Sequence, residues 1–152
     1  MAEARRVTCR LESGDEQIAL MDMDKLRKIT SNLVGNAVKY TRPGGEVIVK
    51  LGFSSGAAGL EKMTLVVEDS GEGIKPEHLE HVFDRFFRGA AKTAVDGSGI
   101  GLNFAKELVE LLGGAIRAES PIHQDAERPG TRFVVELPIA KSVDSNDSTA
   151  KG

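Results

Sequence analysis

The run "TSNLVGNAVKY" (30–40) carries two asparagines four residues apart, then a lysine and a tyrosine. On a helix, Asn32 and Asn36 lie on one face a turn apart, and Lys39 and Tyr40 continue that stripe. An amide oxygen is a hard ligand of the kind Mg²⁺ accepts alongside its waters. A lysine meets phosphate charge, and a tyrosine ring stacks on a base. The same stripe also reads as a solvated polar face with Tyr40 partly buried. "VVEDSGEGIKPEH" (66–78) runs a buried strand into Asp69, then a tight turn through Gly71 and Gly73. A carboxylate at a strand end accepts a hydrogen bond from an exocyclic amine, although Asp, Ser and Gly are also ordinary loop chemistry.

In "DGSGIGLNFAKELVELLGG" (96–114), Gly97, Gly99 and Gly101 alternate where a helix should begin. Alternating glycines let backbone N–H groups converge, and a helix start adds partial positive charge, so the stretch reads as a phosphate cradle or as a hinge. It is neither a P-loop nor a Rossmann fingerprint, because both spacings fail. Between the two glycine stretches, "FDRFFRGAAKTAVDGSG" (83–99) is first aromatic and basic, then small and glycine-bearing. It suits a mobile lid whose Arg85, Arg88 or Lys92 reaches a terminal phosphate. Its phenylalanines also suit anchoring to a core.

These residues need a scaffold. Residues 5–12 and 16–22 read as short strands joined by a Ser13-Gly14-Asp15 turn, and residues 24–40 as a helix with Leu26, Ile29, Leu33 and Ala37 on its core face. Residues 45–53 and 62–69 form a hairpin pattern, and the stretch 75–87 holds a short helix with Pro76 in its first turn. A second long helix over about 98–112 stacks Phe104, Ala105, Leu108, Leu111 and Leu112 and stops at Gly113-Gly114. Residues 115–120 and 131–139 close the chain as strands. Hairpin-joined strands mixed with helices predict an α+β two-layer sandwich, the helices on one face of the sheet.

The 152 residues suffice for one domain with a core, and 40% hydrophobic with 28% charged residues is a globular balance. A net charge of -3 supplies no basic field for nucleic acid. No apolar run approaches a membrane span and no signal peptide precedes the first strand, so no direct membrane contact is expected. The single cysteine, Cys9, excludes an internal disulfide and reads as a small hydrophobe in an early strand. "KSVDSNDSTAKG" (141–152) is polar and aperiodic, a disordered tail or linker after a domain ending near residue 140.

The motifs N-x-x-x-N-A-x-K-Y, D-x-G-x-G, F-x-x-F-F-R, G-x-G-x-G-L and P-G-T-x-F follow one another between residues 32 and 133. In that order they resemble the N, G1, F and G2 boxes of the ATP-binding catalytic domain of sensor histidine kinases, in the superfamily of gyrase, Hsp90 and MutL. The resemblance implies a Bergerat-type fold with a mixed, mostly antiparallel sheet and about three helices, binding ATP with Mg²⁺. It implies that Asn36, assisted by Asn32, holds the metal, that Lys39 approaches the phosphates and that Tyr40 lies against adenine. Asp69 would accept from the adenine amino group, with Gly71 and Gly73 shaping that wall and Thr131 supporting it. Arg88, or second Arg85, would meet the γ-phosphate. The backbone around Gly97, Gly99, Gly101 and Leu102 would hold the phosphate chain.

The hydrolysing members of that superfamily carry a water-activating glutamate four residues before the metal asparagine. Here that position is Asn32, which cannot act as a general base, and this favours phosphoryl transfer over hydrolysis. Asn103-Phe104 replaces the family's small hydrophobic pair and mildly alters helix packing. No S-H-E-[LF]-R-x-P motif with an acceptor histidine occurs, and His78, His81 and His123 read as surface residues. The chain therefore reads as a monomeric, cytoplasmic fragment of a longer kinase, inactive alone. Its partner would be a helical-hairpin phosphoacceptor domain and, indirectly, a response regulator. An anti-sigma-factor-like serine kinase and a non-catalytic docking module are the alternatives.

Overall fold

Alternation in "KMTLVVED" sends Met63, Leu65 and Val67 to one side of a strand and Lys62, Thr64 and Glu68 to the other. The computed structural model, which describes residues 7–13, 19–55, 61–84 and 101–141, builds a sheet on that pattern. Its elements in chain order are β1 (Thr8–Ser13), β2 (Ala19–Leu20), α1 (Met23–Tyr40), β3 (Glu46–Ser55), β4 (Glu61–Asp69), α2 (Pro76–Leu79), α3 (Gly101–Leu111), β5 (Ala115–Glu119) and β6 (Thr131–Lys141). The six strands run β1-β3-β4-β6, and the far edge of β6 carries both β5 and β2. Only β1–β3 is parallel; the other pairs are antiparallel. This is the expected α+β sandwich.

The inner face of the sheet packs Val47, Met63, Leu65, Val67, Phe133, Val135 and Leu137 against Ile29, Leu33 and Ala37 of α1 and Ala105, Leu108 and Val109 of α3. The start of α1 is fixed by Asp22, whose carboxylate accepts from the Lys25 backbone N–H at 3.1 Å and its ammonium at 2.9 Å. The helix ends at the buried Thr41, whose hydroxyl donates to the Ala37 carbonyl at 2.7 Å. For α3 the stop is Gly113, at φ +82°: its N–H reaches the Glu110 carbonyl at 3.0 Å while that of Gly114 reaches Val109 at 2.9 Å. That is a Schellman closure. Gly114 must also stay bare, because a Cβ there would strike the Glu136 carbonyl of β6.

Three expectations are corrected. The two early strands do not pair with each other: β1 lies beside β3 at one edge and β2 beside β6 at the other. The short helix with Pro76 in its first turn is present as expected, from Pro76 to Leu79, and residues 80–84 continue as turns. The buried face of α3 is Ala105, Leu108 and Val109, whereas Phe104 and Leu111 are exposed. A small side chain takes the fully buried place, which lets α3 lie close to α1. Cys9 sits in β1 as expected but is exposed. The expected lid mobility over residues 88–97 lies outside the described residues, as do positions 142–152 of the expected tail.

The outer face of the sheet is laced by ion pairs. Lys50 of β3 and Arg132 of β6 both reach Glu68 of β4, at 3.3 and 2.7 Å, and Arg132 continues to Glu119 of β5 at 2.9 Å. Arg117 joins Glu119 at 2.9 Å and Glu136 at 3.8 Å. Beneath these stems lies Val134, 4% exposed although it faces away from the helices. Burial pushes the Glu68 carboxyl up, but Arg132 and Lys50 more than offset it and hold it below the usual range. Its contribution to stability is thus present above pH 4.5 and lost on acidification. Replacing Arg132 with Met leaves the buried Glu68 with Lys50 alone, and should lower stability by about 2–3 kcal/mol in urea unfolding at pH 7. Arg10→Met, at an exposed pair with Glu12 and Glu46, should cost under about 1 kcal/mol. Equal losses would show that the outer network acts only as surface charge.

Candidate functional site

Two glycines meet α1. A Cβ at Gly71 would stand 2.5 Å from the Tyr40 carbonyl and 3.0 Å from Asp69 Oδ1, so only glycine lets the turn after β4 press against the end of α1. A Cβ at Gly101, the first residue of α3, would stand 3.8 Å from Asn32 Oδ1. The two contacts are eight residues apart on α1, or about 12 Å at 1.5 Å per residue. Asn32, Asn36, Lys39 and Tyr40 lie along that span, all half-buried. The predicted polar stripe therefore runs from the turn that follows Asp69 to the start of α3.

Asp69 is the last residue of β4 and only 5% exposed. Its carboxylate accepts the Gly71 N–H at 2.8 Å and the N–H of Thr131, its register partner on β6. Burial raises its pKa from 3.8 to about 6, against the Gly71 and Thr131 N–H groups and His123, which favour the charged form; Glu72 opposes it. A dry carboxylate held by two backbone amides is a fixed acceptor. Among the described residues no group of three or more His, Cys, Asp or Glu side chains could hold a metal alone. The amide oxygens of Asn36 and Asn32 instead fit a hard cation that completes its shell with phosphate oxygens and water.

Of the residues singled out in the sequence, Asn32, Asn36, Lys39 and Tyr40 lie on α1, Asp69, Gly71, Gly73 and Thr131 lie around the end of β4 and the start of β6, and Gly101 opens α3. Leu102 packs half-buried against the core. Arg85, Arg88, Gly97 and Gly99 lie outside the described residues. Sequence reasoning passed over Gly130, at φ +76°, where a Cβ would strike the Asp69 carbonyl; its place in P-G-T-x-F was the available signal. It also passed over Ser70, whose hydroxyl accepts the Glu46 N–H at 2.8 Å, and over Ser120, discussed below. Asn103, expected only to vary packing, donates to the Phe83 carbonyl at 3.0 Å and ties α3 to the turns after α2. Phe83 is itself seated edge-on against Phe133, ring centroids 6.0 Å apart.

A mixed, mostly antiparallel sheet with its long helices on one face is the architecture also found in the catalytic domains of sensor kinases. A family model for histidine kinase-, DNA gyrase B- and HSP90-like ATPases matches residues 21–141, and the chain belongs to that family. It is 37% identical to the sensor protein SrrB of Staphylococcus aureus over 119 residues, which cover 77% of this chain but 19% of that protein. The chain thus spans about a fifth of the length of that curated relative. Among solved structures, the mycobacterial sensor histidine kinase MprB aligns with a TM-score of 0.76 at 31% identity, covering 93% of this chain and 90% of that one. Full-length ShkA in complex with AMPPNP aligns with a TM-score of 0.72 at 27% identity over 93% of this chain and 27% of that one.

The raised pKa of Asp69 has a stability signature. A carboxyl whose folded pKa lies above its unfolded value supports the fold fully below about pH 4 and loses that support as pH rises through 6. The loss by pH 8 is at most about 3 kcal/mol. Asparagine mimics the neutral acid, so Asp69→Asn should be near neutral at pH 4 and stabilising at pH 8, read as a difference in melting temperature. Equal effects at both pH values would place the carboxylate in a wetter setting than the structure gives it.

Proposed function

We propose that this chain binds Mg-ATP along α1 and donates the γ-phosphoryl group to a histidine on a separate helical-hairpin domain of a longer, two-component sensor kinase. The observation that carries this reading is the dry, glycine-walled Asp69 carboxylate at one end of a polar stripe whose other end presents Asn32, not a general base. The first supports adenine recognition: the exocyclic amine donates to the carboxylate, and Tyr40 and Thr131 flank it. The second supports transfer. A neutral imidazole nitrogen already carries its lone pair, so it attacks in line while the bond from γ-phosphorus to the bridging oxygen breaks toward ADP, and no side chain of this domain need take a proton first. Water would need that help, and Asn32 cannot supply it.

Magnesium, where bound, neutralises phosphate charge; Asn36 holds it and Asn32 assists. Lys39 approaches the phosphates, and the sequence assigns the γ-phosphate contact to Arg88, with Arg85 second. The hairpin comes from elsewhere in the parent kinase, a response regulator takes the phosphoryl group afterwards, and the domain works in the cytoplasm.

Asp69→Asn should weaken ATP and ADP by the same factor, about tenfold or more, because the lost contact is at the base and not at the γ-phosphate. Calorimetry with both nucleotides measures it, and unchanged affinity for both removes Asp69 from the site. Incubation with γ-labelled ATP tests the chemistry. The isolated chain should neither label itself nor release phosphate above a trace, and the parent's hairpin added in trans should become labelled on histidine. Brisk phosphate release without a partner points instead to an ATPase. Acid-stable label on a serine points to the serine-kinase alternative.

A further inference from the structure

Ser120 lies just past β5, far in sequence from every motif read above, yet its hydroxyl joins two segments beside Asp69. It donates to the Gly130 carbonyl at 2.7 Å, immediately before Thr131, and accepts the Ile74 N–H at 2.9 Å, at the end of the glycine turn. Gly73, at φ +77°, completes the joint: a Cβ there would stand 3.0 Å from the Ser120 hydroxyl and 2.9 Å from Pro129. A fourth link runs from the Gly130 N–H to the Gly71 carbonyl at 3.0 Å. Thus the two backbone amides that hold Asp69, those of Gly71 and Thr131, sit on two segments that a single side-chain hydroxyl fastens together.

We infer that Ser120 is a positioning residue for the adenine end of the site, the hydroxyl that keeps the Gly71–Ile74 turn closed on the start of β6 and so keeps Asp69 dry and fixed in place. The inference rests on the nucleotide reading given above. The Asp69 carboxylate spans the same two segments through the Gly71 and Thr131 amides, and the Ser120 hydroxyl adds the tie between Ile74 and Gly130. Without the hydroxyl, the Ile74 N–H and one lone pair of the Gly130 carbonyl must find water, and that water enters beside Asp69.

Ser120→Ala in the 152-residue chain tests this by two readings. Carbon-13 titration of the Asp69 carboxyl should show its midpoint fall from about 6 toward the ordinary 3.8. Affinities for ADP and for adenosine should fall by a common factor of about tenfold. Ser120→Thr keeps the hydroxyl and should restore both. Val134→Ala, a destabilising change on the outer face, should alter neither; if it moves both as much as Ser120→Ala does, Ser120 acts only through general stability and the inference falls. It falls equally if Ser120→Ala leaves the titration and the affinities as in the parent chain. If the parent chain binds neither ligand, the nucleotide reading is what fails, and the carboxyl titration still decides whether Ser120 sets the environment of Asp69. Should Ser120→Ala not fold, Ser120→Cys, a much weaker donor, takes its place with the same readings.

Discussion

The end of β4 is a poor place for a carboxylate, and much of the structure is arranged around the one that stands there. β4 is flanked by β3 and β6 along its whole length, so its last side chain is shut away from water on both sides. A charge in that position is tolerable only where fixed donors point at it. The Gly71 and Thr131 amides are those donors, and each demands a close approach of backbone to backbone. That is why Gly71 faces the Tyr40 carbonyl and why Gly130 faces Asp69 with no room for a side chain. The same approach brings the end of α1 to the site, so holding one carboxylate also aligns the Asn32–Tyr40 stripe beside it.

The two faces of the sheet divide the labour. The inner face is hydrocarbon and carries both long helices. The outer face has no covering layer among the described elements, yet Val134 is nearly as buried as the core. Its shelter is the aliphatic stems of residues whose charged ends pair with Glu68, Glu119 and Glu136. Salt bridges here do more than cancel charge, since they hold long side chains flat over an apolar strip.

The local patterns of the chain were readable. The hairpin of β3 and β4, the span of α1 and the placing of Asn32 and Asn36 on one helix and of Asp69 at a strand end follow from periodicity, because each depends on neighbours close in sequence. What escaped was set by distant contacts. Nothing local tells β1 to join β3 or β2 to join β6. Periodicity stacks five apolar residues on one face of the second long helix, and packing against α1 and the sheet turned Phe104 and Leu111 outward. Ser120 and Gly130 look like ordinary loop residues until the turn after β4 is brought against them.

The position of β6 bears on how the chain acquires its shape. It is the last of the described strands to be made, and it pairs with β4, β5 and β2. During synthesis β3 and β4 can join early as a hairpin, but β5 and β2 have no edge to bind until residues 131–141 emerge. The sheet is then completed in one late step, with many contacts distant in sequence, a topology that folds slowly compared with one closed by local pairs. Until that step the Met63, Leu65 and Val67 strand presents an unpaired edge, the period when a nascent chain is most open to misassociation.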